Sequence, residues 1–154
     1  MASAAAAPVP TAVFGFEFFD DTLEGPRADQ TARLALANAE LARLVAASGE
    51  MAPVDLSSQA ARMAELAPFF TCNGCEAPVA RAAGARLEML GVVRKISNLI
   101  LTFTLVVREV DGPERLLRAG QVDIRGNTDE SWLRGVRYLM QNRILAPGQP
   151  ALSH

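Results

Sequence analysis

The sequence has few of the residues that enzymes most often use for catalysis. Its 154 residues include two cysteines, one lysine and one histidine, and the histidine is the last residue. Because a serine nucleophile needs a positioned base, normally histidine, the composition argues against a serine hydrolase built on Ser131. A structural zinc site usually takes four Cys or His ligands, so zinc would need carboxylates or a second chain. Apart from the two cysteines, no catalytic residue is predicted, and no metal or cofactor is expected.

Long apolar runs and clusters of basic residues are also absent. No run approaches the ~20 apolar residues that cross a bilayer, and the net charge of −2 comes from mixed signs along the chain. These features argue against a transmembrane protein, a nucleic-acid-binding protein and a polybasic membrane anchor. Half of the residues are hydrophobic, which is enough for a full core. We expect one domain over residues 11–145.

Both ends of the chain are expected to lie outside this domain. The start, MASAAAAPVP, resembles the segment that follows a signal-peptidase cut, so residues 1–10 are predicted to be a disordered post-signal segment of an exported protein. A disordered cytosolic start is the alternative. The end, residues 146–154, contains Pro147, Gly148 and Pro150 and is predicted to be a flexible tail.

Hydrophobic periodicity and turn residues predict five strands and four helices. The predicted strands cover residues 11–19, 51–56, 86–96, 99–110 and 115–124. The predicted helices begin near Asp29, Ser57, Glu76 and Thr128. Asp29 and Ser57 are expected to cap the first two of these helices. Pro53 favours an edge position for the second strand. The order β-α-β-α-α-β-β-β-α indicates an α/β (α+β) fold with a mixed five-stranded sheet and helices packed on it.

The two cysteines, Cys72 and Cys75, lie in TCNGCEAP just before the third predicted helix. A helix start lowers a thiol pKa, so the spacing permits a thiol-disulfide exchange centre. The adjacent Glu76 opposes thiolate formation. The favoured interpretation is a disulfide across a turn at Asn73-Gly74, provided that the protein is exported. Two inert free thiols remain a further alternative.

The acidic stretch EFFDDTLEG follows the first predicted strand. Its carboxylates, Glu17, Asp20, Asp21 and Glu24, suit a hard cation, but their spacing is not that of an EF-hand loop. Ligands of open sheets with parallel strands bind beyond the carboxyl ends of the strands. We therefore predict that Asp20, Asp21 and Glu24 form a contact surface.

The segment IRGNTDESW forms a second candidate motif, and its interpretation is structural. Thr128 is expected to cap the last helix, and Trp132 is expected to pack inside the protein. The acids Asp129 and Glu130 lie at the positive end of that helix, with Arg125 and Asn127 just before it.

The last predicted strand is expected to lie at an edge of the sheet, where it can pair with a second copy in a homodimer. Charged residues along the hairpin would oppose that pairing, and they are Arg108, Glu109, Arg115 and Arg118.

Several segments together resemble a family of exported bacterial proteins of unknown function, many of them from proteobacteria. They are VFGFEFFDDT, PVARAAGARLEMLGVV, ILTFTLVVREVDG and DIRGNTDESWLRGVRYLMQNRIL. The resemblance covers residues 11–145, and GNTDESW is its most specific motif. More distantly, the stretch from Ala80 to Val93 is similar to the amino-terminal domain of TolB and to lipoprotein activators of penicillin-binding proteins.

The resemblance implies a periplasmic, non-enzymatic protein that binds another periplasmic protein. It further implies an accessory role in quinoprotein (PQQ) alcohol dehydrogenase systems. Two alternatives stay open from the residues themselves: a thiol-disulfide exchange protein that uses Cys72 and Cys75, and a small-molecule or metal-ion binding module at residues 17–24.

Overall fold

A computed structural model describes residues 7–25, 27–112, 115–146, 148 and 152. The strands are β1 (Val9–Asp20), β2 (Met51–Pro53), β3 (Leu87–Lys95), β4 (Ile100–Glu109) and β5 (Leu116–Arg125). The helices are α1 (Ala28–Ala47), α2 (Ala60–Leu66), α3 (Glu76–Ala82) and α4 (Asp129–Leu139), which continues into a π-helical turn over Met140–Ile144. Short 3-10 turns cover Ser57–Gln59 and Phe69–Thr71. The predicted order of elements is confirmed.

The strands form one mixed sheet in the order β2-β1-β3-β4-β5. Strand β1 is parallel to both β2 and β3, whereas β3, β4 and β5 form an antiparallel meander. The predicted edge position of β2 is confirmed, and β5 lies at the other edge. Because β4 reverses the chain, β1, β3 and β5 all run in one direction. Their carboxyl ends therefore lie at the same end of the sheet.

The two faces of the sheet are covered very differently. Helices α1 and α4 pack together on one face, and the core there includes Phe16, Leu41, Phe103 and Trp132. Only short elements cover the other face, where a small cluster contains Ala12, Ala80, Ala85 and Val110. Burying a large apolar side chain contributes roughly 1.5–3 kcal/mol. Because many more of these side chains are buried on the α1–α4 face, most of the stabilisation comes from that face.

A bulge in β1 fixes the position of α1. Pairing with β3 shifts register between Val13 and Gly15, and Gly15 has a φ of +84°. Asn38 of α1 accepts a hydrogen bond from the Phe16 N–H (2.7 Å) and donates one to the Phe16 carbonyl (3.2 Å). A Cβ at Gly15 would lie 2.7 Å from Asn38 Oδ1. Glycine is therefore required for this contact, which the sequence did not predict.

Two of the predicted helix caps, Asp29 and Ser57, are wrong. Helix α1 follows Arg27 without a side-chain cap, and Asp29 lies in its first turn, where it pairs with Arg27 and Arg33. Ser57 opens a 3-10 turn rather than α2, because its N–H donates to the carboxylate of Asp55 (2.9 Å). The predicted cap at Thr128 is confirmed.

The ends of the chain lie largely outside the described residues. Strand β1 begins at Val9, two residues before its predicted start, and Leu152 packs against the core. The disordered start and the flexible tail stay predictions for the remaining residues. Within the described part of the chain, no helix is both long and apolar enough to cross a membrane.

Candidate functional site

Both motifs singled out in the sequence meet at the carboxyl ends of β1, β3 and β5. The last residues of β1 and β3, Asp20 and Lys95, are paired, and the Gly126 N–H after β5 donates to the Leu99 carbonyl (2.9 Å). We call residues 19–25, 27, 94–100 and 125–130 the carboxyl-end surface. It contains the three residues predicted to form a contact surface, Asp20, Asp21 and Glu24. It also contains four residues of the second motif, which are Arg125, Asn127, Asp129 and Glu130.

An ion pair between a buried lysine and an exposed glutamate holds the acidic loop against β3. Lys95, the single lysine, is fully buried, and its Nζ lies 2.5 Å from Glu24 Oε2. This hydrogen bond, with another from the Asn98 side chain, lowers the pKa of Glu24. Since a buried ammonium without a counter-ion is costly, the loop is constrained to keep Glu24 in place.

The other acidic residues near this loop also bind protein groups. The Asp20 carboxylate accepts hydrogen bonds from the hydroxyl and the N–H of Thr22, which lower the pKa of Asp20. Asp21 pairs with Arg94 (3.2 Å). Glu17 accepts the N–H groups of Phe69 (2.7 Å) and Phe70 (2.9 Å). These contacts do not leave four free carboxylates to surround a cation.

The IRGNTDESW segment ties the start of α4 to α1. Asn127 Oδ1 accepts hydrogen bonds from the buried Trp132 indole (2.8 Å) and from Arg33 of α1 (3.2 Å). The Arg33 guanidinium also contacts Asp129 (3.0 Å). The predicted burial of Trp132 is confirmed. Arg33 itself was missed, because its partners in this segment lie 94 and 96 residues away.

The two remaining charged residues of the segment face solvent. Glu130 pairs with Arg134 (2.8 Å), an exposed contact of small expected energy. Arg125 is exposed and forms no ion pair within the described part of the chain. Neither residue contributes to the α1–α4 junction.

Exposed apolar side chains concentrate at the same end of the sheet. Among the described residues, five large apolar side chains of the carboxyl-end surface are exposed to solvent. They are Phe19, Leu23, Ile96, Leu99 and Ile100. Leu23 is 94% exposed and Leu99 is 71% exposed. Apolar surface that is surrounded by polar residues is typical of an interaction site. The surface has the composition of a binding site.

A cavity of about 380 Å³ opens beside the acidic loop. Phe18 and Leu34 form its apolar wall, and Asp20, Arg27 and Gln30 supply its polar groups. Gln30 is buried, and it was missed because it lies in the polar first turn of α1, where burial has no sequence signal.

The cysteines lie on the other face of the sheet, away from α1 and α4. The structure has a Cys72–Cys75 disulfide, and Asn73 and Gly74 turn the chain with positive φ angles of 55° and 91°. The favoured interpretation of the two cysteines, a disulfide, is therefore the one that the structure has. The Glu76 carboxylate lies 3.7 Å from Cys72 Sγ, where negative charge disfavours a thiolate.

Besides Glu76, a second carboxylate, that of Glu88, is buried near the disulfide. Glu88 of β3 is 1% exposed, and the Glu76 carboxyl lies beside it. Burial, together with the neighbouring Glu76 carboxyl, raises the pKa of Glu88 to about 8. Its only signal in the sequence is one acid inside the apolar run LEMLGVV.

Comparisons with known proteins place the chain in a family and a fold. The model of a family described as protein of unknown function (DUF2380), named DUF3280, matches residues 9–144. None of the curated proteins matches the sequence significantly. The family match confirms the predicted resemblance to a family of unknown function.

The solved structures that resemble this chain share its fold at low identity. The LpoB C-terminal domain from Salmonella enterica has a TM-score of 0.56 at 12% identity, covering 80% of this chain and 87% of that one. The PelC dodecamer from Paraburkholderia phytofirmans has a TM-score of 0.53 at 12% identity, covering 89% and 92%. TolB from Acinetobacter baumannii has a TM-score of 0.46 at 11% identity, covering 90% and 29%, a likeness too weak to build on.

The Lys95–Glu24 pair predicts an asymmetric response to substitution. Glu24→Gln leaves the buried Lys95 ammonium without its counter-ion, so we expect the melting temperature to fall by several degrees. Lys95→Met should cost less, because the Glu24 side chain is 37% exposed and can be hydrated. Thermal unfolding of both variants checks this, and equal losses would contradict the role given to the pair.

The buried Glu88 predicts a pH-dependent stability. Between pH 4.5 and about 8 the folded state keeps a proton that the unfolded chain has released. The free energy of unfolding should therefore fall as pH rises through this range, by up to about 1.4 kcal/mol per pH unit. Below pH 4.5 this contribution is fully present.

Chemical denaturation of wild type and Glu88→Gln at several pH values measures this contribution. The difference between the two should change with pH from 4.5 to 8, while the exposed control Glu65→Gln follows wild type. Parallel curves for wild type and Glu88→Gln would show that Glu88 titrates normally.

Proposed function

The chain belongs to the DUF3280 family of proteins of unknown function, and we propose that it is a non-catalytic accessory protein that binds another protein. The observation that carries the proposal is the group of exposed apolar side chains on the carboxyl-end surface. Leu23 and Leu99 are its most exposed members. Exposed apolar side chains are stabilised when a partner removes them from water.

The rigidity of this surface supports a binding role. Glu24 on buried Lys95 holds the loop after β1, and Arg33 with Asn127 holds the loop after β5. A surface that is already ordered loses less conformational entropy when a partner binds. The Lys95 contact also engages the Glu24 carboxylate, which would otherwise be available for metal binding or proton transfer.

The two alternative functions receive less support. In a thiol-disulfide exchange protein the attacking cysteine has a lowered pKa, but Glu76 lies beside Cys72. A metal-binding module at residues 17–24 needs free oxygen ligands, but Glu17, Asp21 and Glu24 are bound to groups of the protein. Neither alternative accounts for the exposed apolar residues.

The proposed compartment is the periplasm, which the protein reaches by export with removal of a signal peptide. The Cys72–Cys75 disulfide supports this, because disulfides persist in oxidising compartments and are rare in the cytosol. As for the partner, the family resemblance leads us to propose a component of a quinoprotein (PQQ) alcohol dehydrogenase system.

A homodimer through β5 is a separate proposal. The edge position of β5 supports it. Arg118 does not protect this edge as predicted, because it is buried and donates to the Ile144 carbonyl (2.7 Å). Light scattering of the purified chain should give twice 16.4 kDa, and a mass of one chain would contradict the dimer.

The carboxyl-end surface predicts which substitutions abolish partner capture. Leu99→Asp and Leu23→Asp each place a charge in the apolar group, so we expect loss of the captured protein with unchanged melting temperature. The matched control Leu116→Asp alters a residue that is 52% exposed at the opposite end of the sheet, and capture should be retained.

Affinity capture from a periplasmic extract of the source organism, followed by mass spectrometry, measures these effects. A quinoprotein dehydrogenase component that Leu99→Asp loses would support the full proposal. Another periplasmic protein with the same pattern would support only protein binding. Equal loss with Leu99→Asp and Leu116→Asp would contradict the proposed surface.

A further inference from the structure

The cavity beside the acidic loop contains buried polar atoms that the fold leaves without partners. Gln30 is 3% exposed and lines the cavity, and neither its amide oxygen nor its amide nitrogen has a hydrogen-bond partner in the described chain. The same holds for Asp20 Oδ2. A buried polar group without a partner costs roughly 1–3 kcal/mol, and native structures contain few of them.

The chemistry of these atoms defines a complementary ligand. Gln30 Oε1 and Asp20 Oδ2 are acceptors, and Gln30 Nε2 is a donor. Phe18 and Leu34 line the same cavity with apolar surface. A matching group carries two N–H donors and one carbonyl acceptor at the end of a short apolar stem. That is the primary carboxamide of an Asn or Gln side chain.

The charges around the cavity favour a neutral ligand. Lys95 and Arg27 lie near Asp20 and stabilise its negative charge, so a cationic ligand is not needed to compensate it. An anionic ligand would meet the Asp20 carboxylate and would leave both acceptors without donors. A hydroxyl has only one donor, which is too few for the two acceptors.

We propose that this cavity receives a carboxamide side chain, Asn or Gln, of the partner protein that binds the carboxyl-end surface. The inference rests on the proposed function and adds the chemistry of the contact. The cavity adjoins the exposed Leu23, which lines its mouth and belongs to the same apolar group. A partner that covers Leu23 and Leu99 is thus placed to insert one side chain beside Gln30.

Binding of small probes to the whole chain tests the chemistry of the site. The probes are isobutyramide, isobutyrate and isobutanol, which share one carbon skeleton. NMR titration following the Gln30 side-chain NH₂ signals should show isobutyramide binding about tenfold more tightly than the other two, as 1.4 kcal/mol of hydrogen bonding predicts. Equal binding of all three, or of none, would overturn the inference.

Two variants separate this inference from the proposed function. Gln30→Leu should keep or raise the melting temperature, since it removes polar atoms without partners, and it should lose both isobutyramide binding and partner capture. Leu99→Asp should lose capture but still bind isobutyramide. The exposed control Gln121→Leu should keep both.

The results of these variants distinguish the possible failures. If Gln30→Leu captures the partner normally while Leu99→Asp does not, the partner side chain does not enter the cavity, and the inference fails while the proposed function stands. Specific isobutyramide binding without any partner capture would also overturn the inference, because it would assign the cavity to a free amide. A large fall in melting temperature with Gln30→Leu would give Gln30 a structural role instead.

Discussion

The arrangement of the carboxyl-end surface depends on one constraint, the burial of Lys95 at the last position of β3. A buried ammonium needs a counter-ion, and Glu24 provides it from the loop after β1. Holding Glu24 there determines the path of residues 20–25, which form one wall of the cavity and expose Leu23. The single lysine thereby links the sheet to the carboxyl-end surface, although its side chain does not reach solvent.

The topology explains why one end of the sheet carries both candidate motifs. Strands β1 and β3 are parallel neighbours, and the β3–β4–β5 meander returns β5 in the same direction. The loops that follow these strands therefore meet at one end, the position where open sheets with parallel strands bind ligands. The disulfide and the buried Glu88 belong to the thinly covered face, so their effects on stability can be measured apart from binding at the other site.

Local signals predicted the elements well, whereas long-range contacts had no comparable signal. The alternating residues of β4, the proline of β2 and the cap at Thr128 led to the correct order of elements and the correct edges. The roles of Asn38, Arg33 and Lys95 could not be predicted, because each depends on a partner 22 to 96 residues away. The Asn38–Phe16 and Arg33–Asp129 contacts are the two extremes. Asp29 was wrongly predicted as a cap because an acid in the first turn of a helix gives the same sequence pattern as a cap.

The proposed function requires a partner protein that contacts the carboxyl-end surface. The most direct measurement places a photo-crosslinking benzophenone amino acid at position 99, and separately at position 116, in cells of the source organism. Counting only proteins other than a second copy of this chain, we expect a light-dependent adduct from position 99 and none from position 116, because Leu99 and Leu116 lie at opposite ends of the sheet. An adduct from position 116 alone, or equal adducts from both, would contradict it.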